Sequence, residues 1–146
     1  MRLKIILNIF ILALCVKLYP QKFVNQLIVN TSGHNCFQYE LYENKKSDTL
    51  NYYFIFETDF VKDSATVFSN DRVVFKDGLS TNQAIDLAKV VKIGEVTNTN
   101  YFSFQLNRTT IFTLYPIKGK YYMRVQYIRE LDKIIVCYSK YMPYYE

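Results

Sequence analysis

Toward its C-terminal end the chain reads as four extended segments, residues 100–107, 110–117, 120–129 and 133–140, separated by connections of two or three residues. Connections that short join antiparallel neighbours, because a parallel crossover needs a dozen or more residues. The segments are rich in Phe, Tyr, Ile and Val, which suit a pleated, half-buried surface. Alternation puts Phe102, Phe104 and Leu106 on one face, then Phe112 and Leu114, then Tyr121, Met123, Val125 and Tyr127. These residues predict an antiparallel meander with one apolar face.

The first half adds shorter extended pieces at residues 23–29, 35–43, 50–57, 65–68 and 72–76. The piece at 50–57 is apolar on both faces, which predicts a place inside a sheet. One stretch has a helical period, residues 79–91. Ser80 is placed to cap it with Gln83 reaching back, Ala84, Leu87, Ala88 and Val91 share a face, and Gly94 follows as a stop. The expected fold class is α+β: a curved antiparallel sheet with one main helix packed on one face. No repeat, low-complexity run or linker divides the chain, so residues 16–146 are expected to form one domain.

Residues 1–15 read as an export signal. Arg2 and Lys4 precede an apolar run, Ile5 to Leu14, too short to cross about 30 Å of hydrocarbon. Ala13-Leu14-Cys15 favours a cut before Val16, with the leader's end as late as Gln21 in a second reading. In a third, Leu12-Ala13-Leu14-Cys15 acts as a lipobox and Cys15 carries lipid. Membrane contact is expected only with that lipid or with an uncleaved leader. The address is extracytoplasmic, whether secreted, periplasmic or on an outer membrane. Loss of Arg2 and Lys4 lowers the formal charge from +5 to +3, and acidic residues are interspersed throughout, which argues against a nucleic-acid partner. Export permits a disulfide between Cys36 and Cys137, closing a loop of about a hundred residues and contributing ~3 to 4 kcal/mol. The alternative is two separate small hydrophobes.

The order Lys76-Asp77-Gly78-Leu79-Ser80, then Gln83-Ala84-Ile85-Asp86-Leu87-Ala88-Lys89, then hairpin strands, resembles the PepSY-like small exported bacterial modules. Those open a helix with a Leu-Ser/Thr turn and carry an Ala-Ile-x-x-Ala-Lys core. The likeness covers residues 76–139. It departs at Glu130-Leu131-Asp132-Lys133, which lacks the glycine of the family's Asp-x-x-x-Gly turn. The resemblance implies a non-enzymatic module that binds or restrains partner proteins such as peptidases, and it transfers no catalytic residue.

Chemistry is thinly supplied. The single histidine, His34, sits in a turn, and the cysteines are far apart, so no metal, cofactor or nucleophile set is expected. Glu40, Glu43, Glu57 and Asp59, the last two on one strand face if the strand at 50–57 persists, offer carboxylates for a small hydrolase, the alternative to a binding module. A lipid-anchored envelope structural protein is a further alternative. Tyr122, Arg124, Gln126 and Ile128 alternate on the strand face opposite the core set. The row reads first as ordinary cross-strand pairing with Thr113 and Tyr115, and alternatively as an exposed surface for a protein or peptide partner. The tail, Tyr141-Met142-Pro143-Tyr144-Tyr145-Glu146, adds a second aromatic cluster. Asn30-Thr31-Ser32 and Asn107-Arg108-Thr109 match the glycosylation sequon. The expectation is an exported, non-enzymatic protein-binding module of inhibitory or immunity type.

Overall fold

A computed structural model describes residues 26–30, 48–143 and 145. Among them run nine strands: β1 (Gln26–Asn30), β2 (Asn51–Phe56), β3 (Asp63–Ser69), β4 (Arg72–Leu79), β5 (Lys89–Glu95), β6 (Phe102–Leu106), β7 (Ile111–Leu114), β8 (Tyr122–Ile128) and β9 (Lys133–Ser139). They form two sheets, one ordered β1-β9-β8-β2-β5 and the other β4-β3-β6-β7. The second sheet is antiparallel throughout. The first is mixed, with β1 parallel to β9 and β2 parallel to β8. The described helical structure is a single 3-10 turn, Arg129–Leu131. The architecture is therefore a two-sheet β fold, which corrects the expected α+β layer with its main helix.

The stretch expected to be that helix shows why. Leu79 ends β4, and Ser80 Oγ accepts the Lys62 amide (3.1 Å) instead of capping a helix. Asn82 starts a tight turn: its side chain accepts the Ala84 amide (3.0 Å), its carbonyl accepts Ile85 N–H (3.2 Å), and its own amide bonds the Leu87 carbonyl (3.0 Å). Asp86 closes the turn in the left-handed region, φ 51°. The chain then enters β5, where Val91 and Ile93 are buried at a spacing of two. Lys89-Val90-Val91-Lys92-Ile93 is a strand sequence by its β-branched residues. Gly94, the expected helix stop, is a strand residue: a Cβ there would lie 2.9 Å from Thr99 Oγ1 and 3.2 Å from Ser69 Oγ.

The expected meander is also broken once. β6–β7 and β8–β9 are hairpins as read, but β7 and β8 lie in different sheets. The link at Lys118-Gly119, with Gly119 at φ 77° and a lone Ile117–Lys120 bridge, carries the chain from one sheet to the other.

The alternating apolar faces meet between the sheets. Tyr52, Phe54 and Phe56 of β2, Met123, Val125 and Tyr127 of β8, and Ile134, Val136 and Tyr138 of β9 pack with Ala65 and Val67 of β3, Phe102, Phe104 and Leu106 of β6, and Leu114 of β7. Phe104 joins the sheets, with its ring 5.3 Å from Phe54 edge-on and 6.3 Å from Phe56. So the residues expected to cover a helix cover the opposing sheet.

Several tyrosines in this framework hold their protons tightly. Its bond to Asp48 pushes Tyr53 up to about 12 from the usual 10.0, and the same bond leads those that lower Asp48 to about 2. Burial does the same first for Tyr127, aided by the Asp132 carboxylate, and for Tyr138, which donates to the Tyr115 carbonyl (2.8 Å). An acid whose folded ionisation lies above its unfolded one contributes stability that is complete below pH 10 and lost as pH climbs to 12. Urea-unfolding stability should therefore fall across pH 10–12, by roughly 2 kcal/mol for each of the two buried tyrosines. Tyrosinate absorbance should show these groups ionising only in that window or with unfolding. Constant stability from pH 9 to pH 12 would contradict this.

Candidate functional site

The first sheet is buried on both faces in its middle. Residues that alternate with the core set, Ile55 on β2, Tyr122, Arg124 and Gln126 on β8, and Cys137 on β9, lie on the side away from the second sheet and are buried as well. Register aligns them, with Ile55 opposite Arg124 and Arg124 opposite Cys137.

At the end of β2 this face acquires a charge. The backbone of Glu57 continues the parallel pairing by donating to the Val125 carbonyl (2.9 Å), which carries its side chain over β8. Arg124 Nε donates to Glu57 Oε1 at 2.6 Å and Gln126 Nε2 to Oε2 at 2.8 Å. The Tyr145 hydroxyl adds a third bond to Oε1, at 2.5 Å. Glu57 is 2% exposed, Arg124 6% and Gln126 5%. Removing such ions from water costs several kcal/mol each, so the pair persists only because each charge is met by the other and the remaining lone pairs are filled. Beside it, Tyr122 and Tyr53 stack at 5.5 Å and 16°, and the Tyr122 oxygen accepts the Asp48 amide (2.7 Å).

A second buried acid stands at one end of the sandwich. Asp63, at the start of β3, accepts Val61 N–H (2.8 Å) and Asn107 Nδ2 (2.6 Å) and pairs with Arg129. Arg129 also holds the Asp59 carbonyl (3.0 Å) and lies 5.1 Å over the Tyr127 ring. Every contact here fixes a turn to a neighbouring strand, so this cluster is structural.

The outer face of the second sheet is open. In register across it run Val73, Phe68, Ser103 and Thr113, then Lys76, Thr66, Gln105 and Ile111. Val73 is 50% exposed, Ile111 51% and Tyr115 67%. The Tyr115 ring lies 6.5 Å from that of Tyr101, whose hydroxyl is held by Asp71 in the β3–β4 turn. Ser103 and Thr113 share a hydrogen bond (3.2 Å) in the middle of the face.

Against the sequence expectations, the row Tyr122, Arg124, Gln126 and Ile128 does lie opposite the core set. Its first three members are buried and Ile128 is partly buried, so the row is no exposed surface, and its strand pairs with β2 and β9 instead of with the strand of Thr113. Glu57 and Asp59 do not share a strand face: β2 ends at Phe56, Glu57 is committed to Arg124, and Asp59 is exposed at φ 65°. Asn107 is tied on both amide atoms, to Ser64 N (2.8 Å) and to Asp63, so its side-chain nitrogen is already engaged. Cys137 is buried on β9, beside Asn30 of β1. Cys15, Cys36, His34, Glu40, Glu43 and the leader lie outside the described residues. Missed from sequence were the Glu57–Arg124 pair and the open outer face. No group of His, Cys, Asp and Glu side chains among the described residues is placed to hold a metal ion.

The chain matches no protein-family model, no curated protein and no solved structure.

Proposed function

We propose that this chain is an exported, non-enzymatic protein-binding module of inhibitory or immunity type. The observation that carries the reading is the outer face of the second sheet. Solvent-facing Val73, Ile111 and Tyr115 stand around the polar side chains of Thr66, Gln105 and Thr113, a mixture of apolar and aromatic anchors with polar neighbours that suits a protein partner. The alternative carboxylate hydrolase has less support, because Glu57 is buried and already serves Arg124 while Asp59 is exposed.

Export and the disulfide belong to the same proposal. Cys137 stands at the β1 edge of its strand, level with Asn30, and Cys36 follows six residues later in sequence. Non-reducing and reducing mass spectrometry of exported protein tests both. The expected result is a mature N-terminus between Val16 and Lys22 and a Cys36–Cys137 linked peptide. A mass that includes Met1, or two free thiols, defeats the respective part.

For the binding reading itself, the full chain and its Tyr115→Ser/Val73→Ser variant serve as paired baits against extracytoplasmic protein. Capture by the native chain, lost in the double variant at unchanged melting temperature, is the expected outcome. Equal capture by both baits, or turnover of a glycoside or ester substrate, would overturn it.

A further inference from the structure

Glu57, Arg124 and Gln126 are held by the ladder of two parallel strands, and their mutual geometry follows from that pairing. Tyr145 is different. It reaches the cluster from beyond β9, 88 residues from Glu57 in sequence, and supplies one phenol. Its hydroxyl donates to Glu57 Oε1 (2.5 Å), the carboxylate oxygen that also accepts from Arg124 Nε. The phenolic proton is thus matched by a carboxylate, in a place where an unmatched polar group costs about 1 to 3 kcal/mol. Burial beside Glu57 raises the ionisation of that phenol well above the usual tyrosine range, so it is seated neutral.

The seat belongs to the sheet and the tyrosine to a segment outside it. We propose that the Glu57–Arg124–Gln126 cluster is a recognition pocket for a tyrosine side chain, occupied in the free protein by Tyr145 and taken over by a tyrosine of the protein partner. The inference rests on the protein-binding reading and adds to it a second contact point with defined chemistry. Phenylalanine fits the same space but leaves Glu57 Oε1 one donor short. A phosphotyrosine brings its charge against the Glu57 carboxylate and is refused. The unmodified phenol is selected by a carboxylate acceptor that the Arg124 guanidinium holds in place.

The test uses the full chain with Tyr145→Ala, which vacates the seat, and N-acetyl-tyrosinamide as the probe in calorimetric or NMR titration. Tyr145→Ala should bind the probe at least about tenfold more tightly than the native chain does. It should prefer it about tenfold over N-acetyl-phenylalaninamide, a preference that disappears in Tyr145→Ala/Glu57→Gln. Equal binding by native and variant chains, or no preference for the hydroxyl, overturns the pocket. If Tyr145→Ala fails to fold by circular dichroism, Tyr145→Phe replaces it. That ring lacks the bond to Glu57 and should yield to the probe more readily than the native tyrosine, and failure to do so counts equally against the proposal. Loss of probe binding with partner capture retained removes the pocket and leaves the binding reading intact. Loss of capture with probe binding retained removes the partner's use of the pocket and, with it, the reading on which that use rests.

Discussion

Arg124→Met is expected to destabilise the protein by about 3 to 5 kcal/mol. Glu57 is 2% exposed and its carboxylate is met by Arg124 at 2.6 Å. Without the guanidinium, the carboxylate keeps only Gln126 and Tyr145 as donors and has no opposite charge. The energy lost is mostly that of leaving a charge buried and unanswered, and the net worth of the pair itself is much smaller. The double change Glu57→Leu/Arg124→Met should therefore recover most of the loss, because well-packed apolar side chains replace a buried pair at little net cost. Urea denaturation of the single and double variants measures this directly. A single variant within about 1 kcal/mol of the native protein would mean that water reaches the pair and that it is not buried in solution.

Phe104→Ala should cost a similar amount, about 3 to 5 kcal/mol, for a different reason. Phe104 is fully buried on β6 and touches Phe54 and Phe56 of the other sheet and Phe112 of its own. Truncation removes its transfer energy and leaves a cavity that the strands cannot close without shifting. It also ends three ring contacts, each adding about 0.5 to 1.5 kcal/mol beyond area. Phe112→Ala is the internal comparison. Phe112 is only partly buried at the sheet edge, so its loss should be clearly smaller in the same urea experiment. Equal losses would show that Phe104 has no special place between the sheets.

How much of this was legible beforehand follows from the range of the interactions involved. The positions of β2, β3, β4, β6, β7, β8 and β9 were readable because alternation and β-branched or aromatic content act within each strand. So was the inward set Phe102, Phe104, Leu106, Met123, Val125 and Tyr127. The false helix at 79–91 arose because Ala84, Leu87, Ala88 and Val91 satisfy a period of 3.6 while Val91 and Ile93 also satisfy a period of two. The turn at Asn82 to Asp86 decided between them. The sheet change over residues 115–121 is hidden because the tight turn at Lys118-Gly119, closed by the Ile117–Lys120 bridge, looks in sequence like the turn of a hairpin. Glu57 and Arg124 are 67 residues apart and meet through a parallel pairing, for which a sequence carries no local mark. Their one signal was chemical: an acid closing an apolar strand, and an Arg-x-Gln inside another apolar strand. The side of β8 away from the core set reads as solvent-facing because alternation marks one apolar face and a polar row opposite it, and a buried Arg-x-Gln row met by an acid from another strand leaves the same alternation.

The parallel pairing of β1 with β9 sets the order in which this molecule can be made. Gln26 stands beside Lys133 and Asn30 beside Cys137, so the earliest described strand waits for the last. β2 likewise waits for β8. While the chain is being synthesised, β3–β4, β6–β7 and the β2–β5 pair have their partners early, but the mixed sheet lacks β8 and β9 until Tyr122–Ser139 has emerged. Bringing together ends about a hundred residues apart costs closure entropy before any contact repays it. Refolding should accordingly be slow, in the millisecond-to-second range of β-rich domains, and the growing polypeptide is left as a loose, aromatic-rich coil that needs shielding from its neighbours until the final strand arrives.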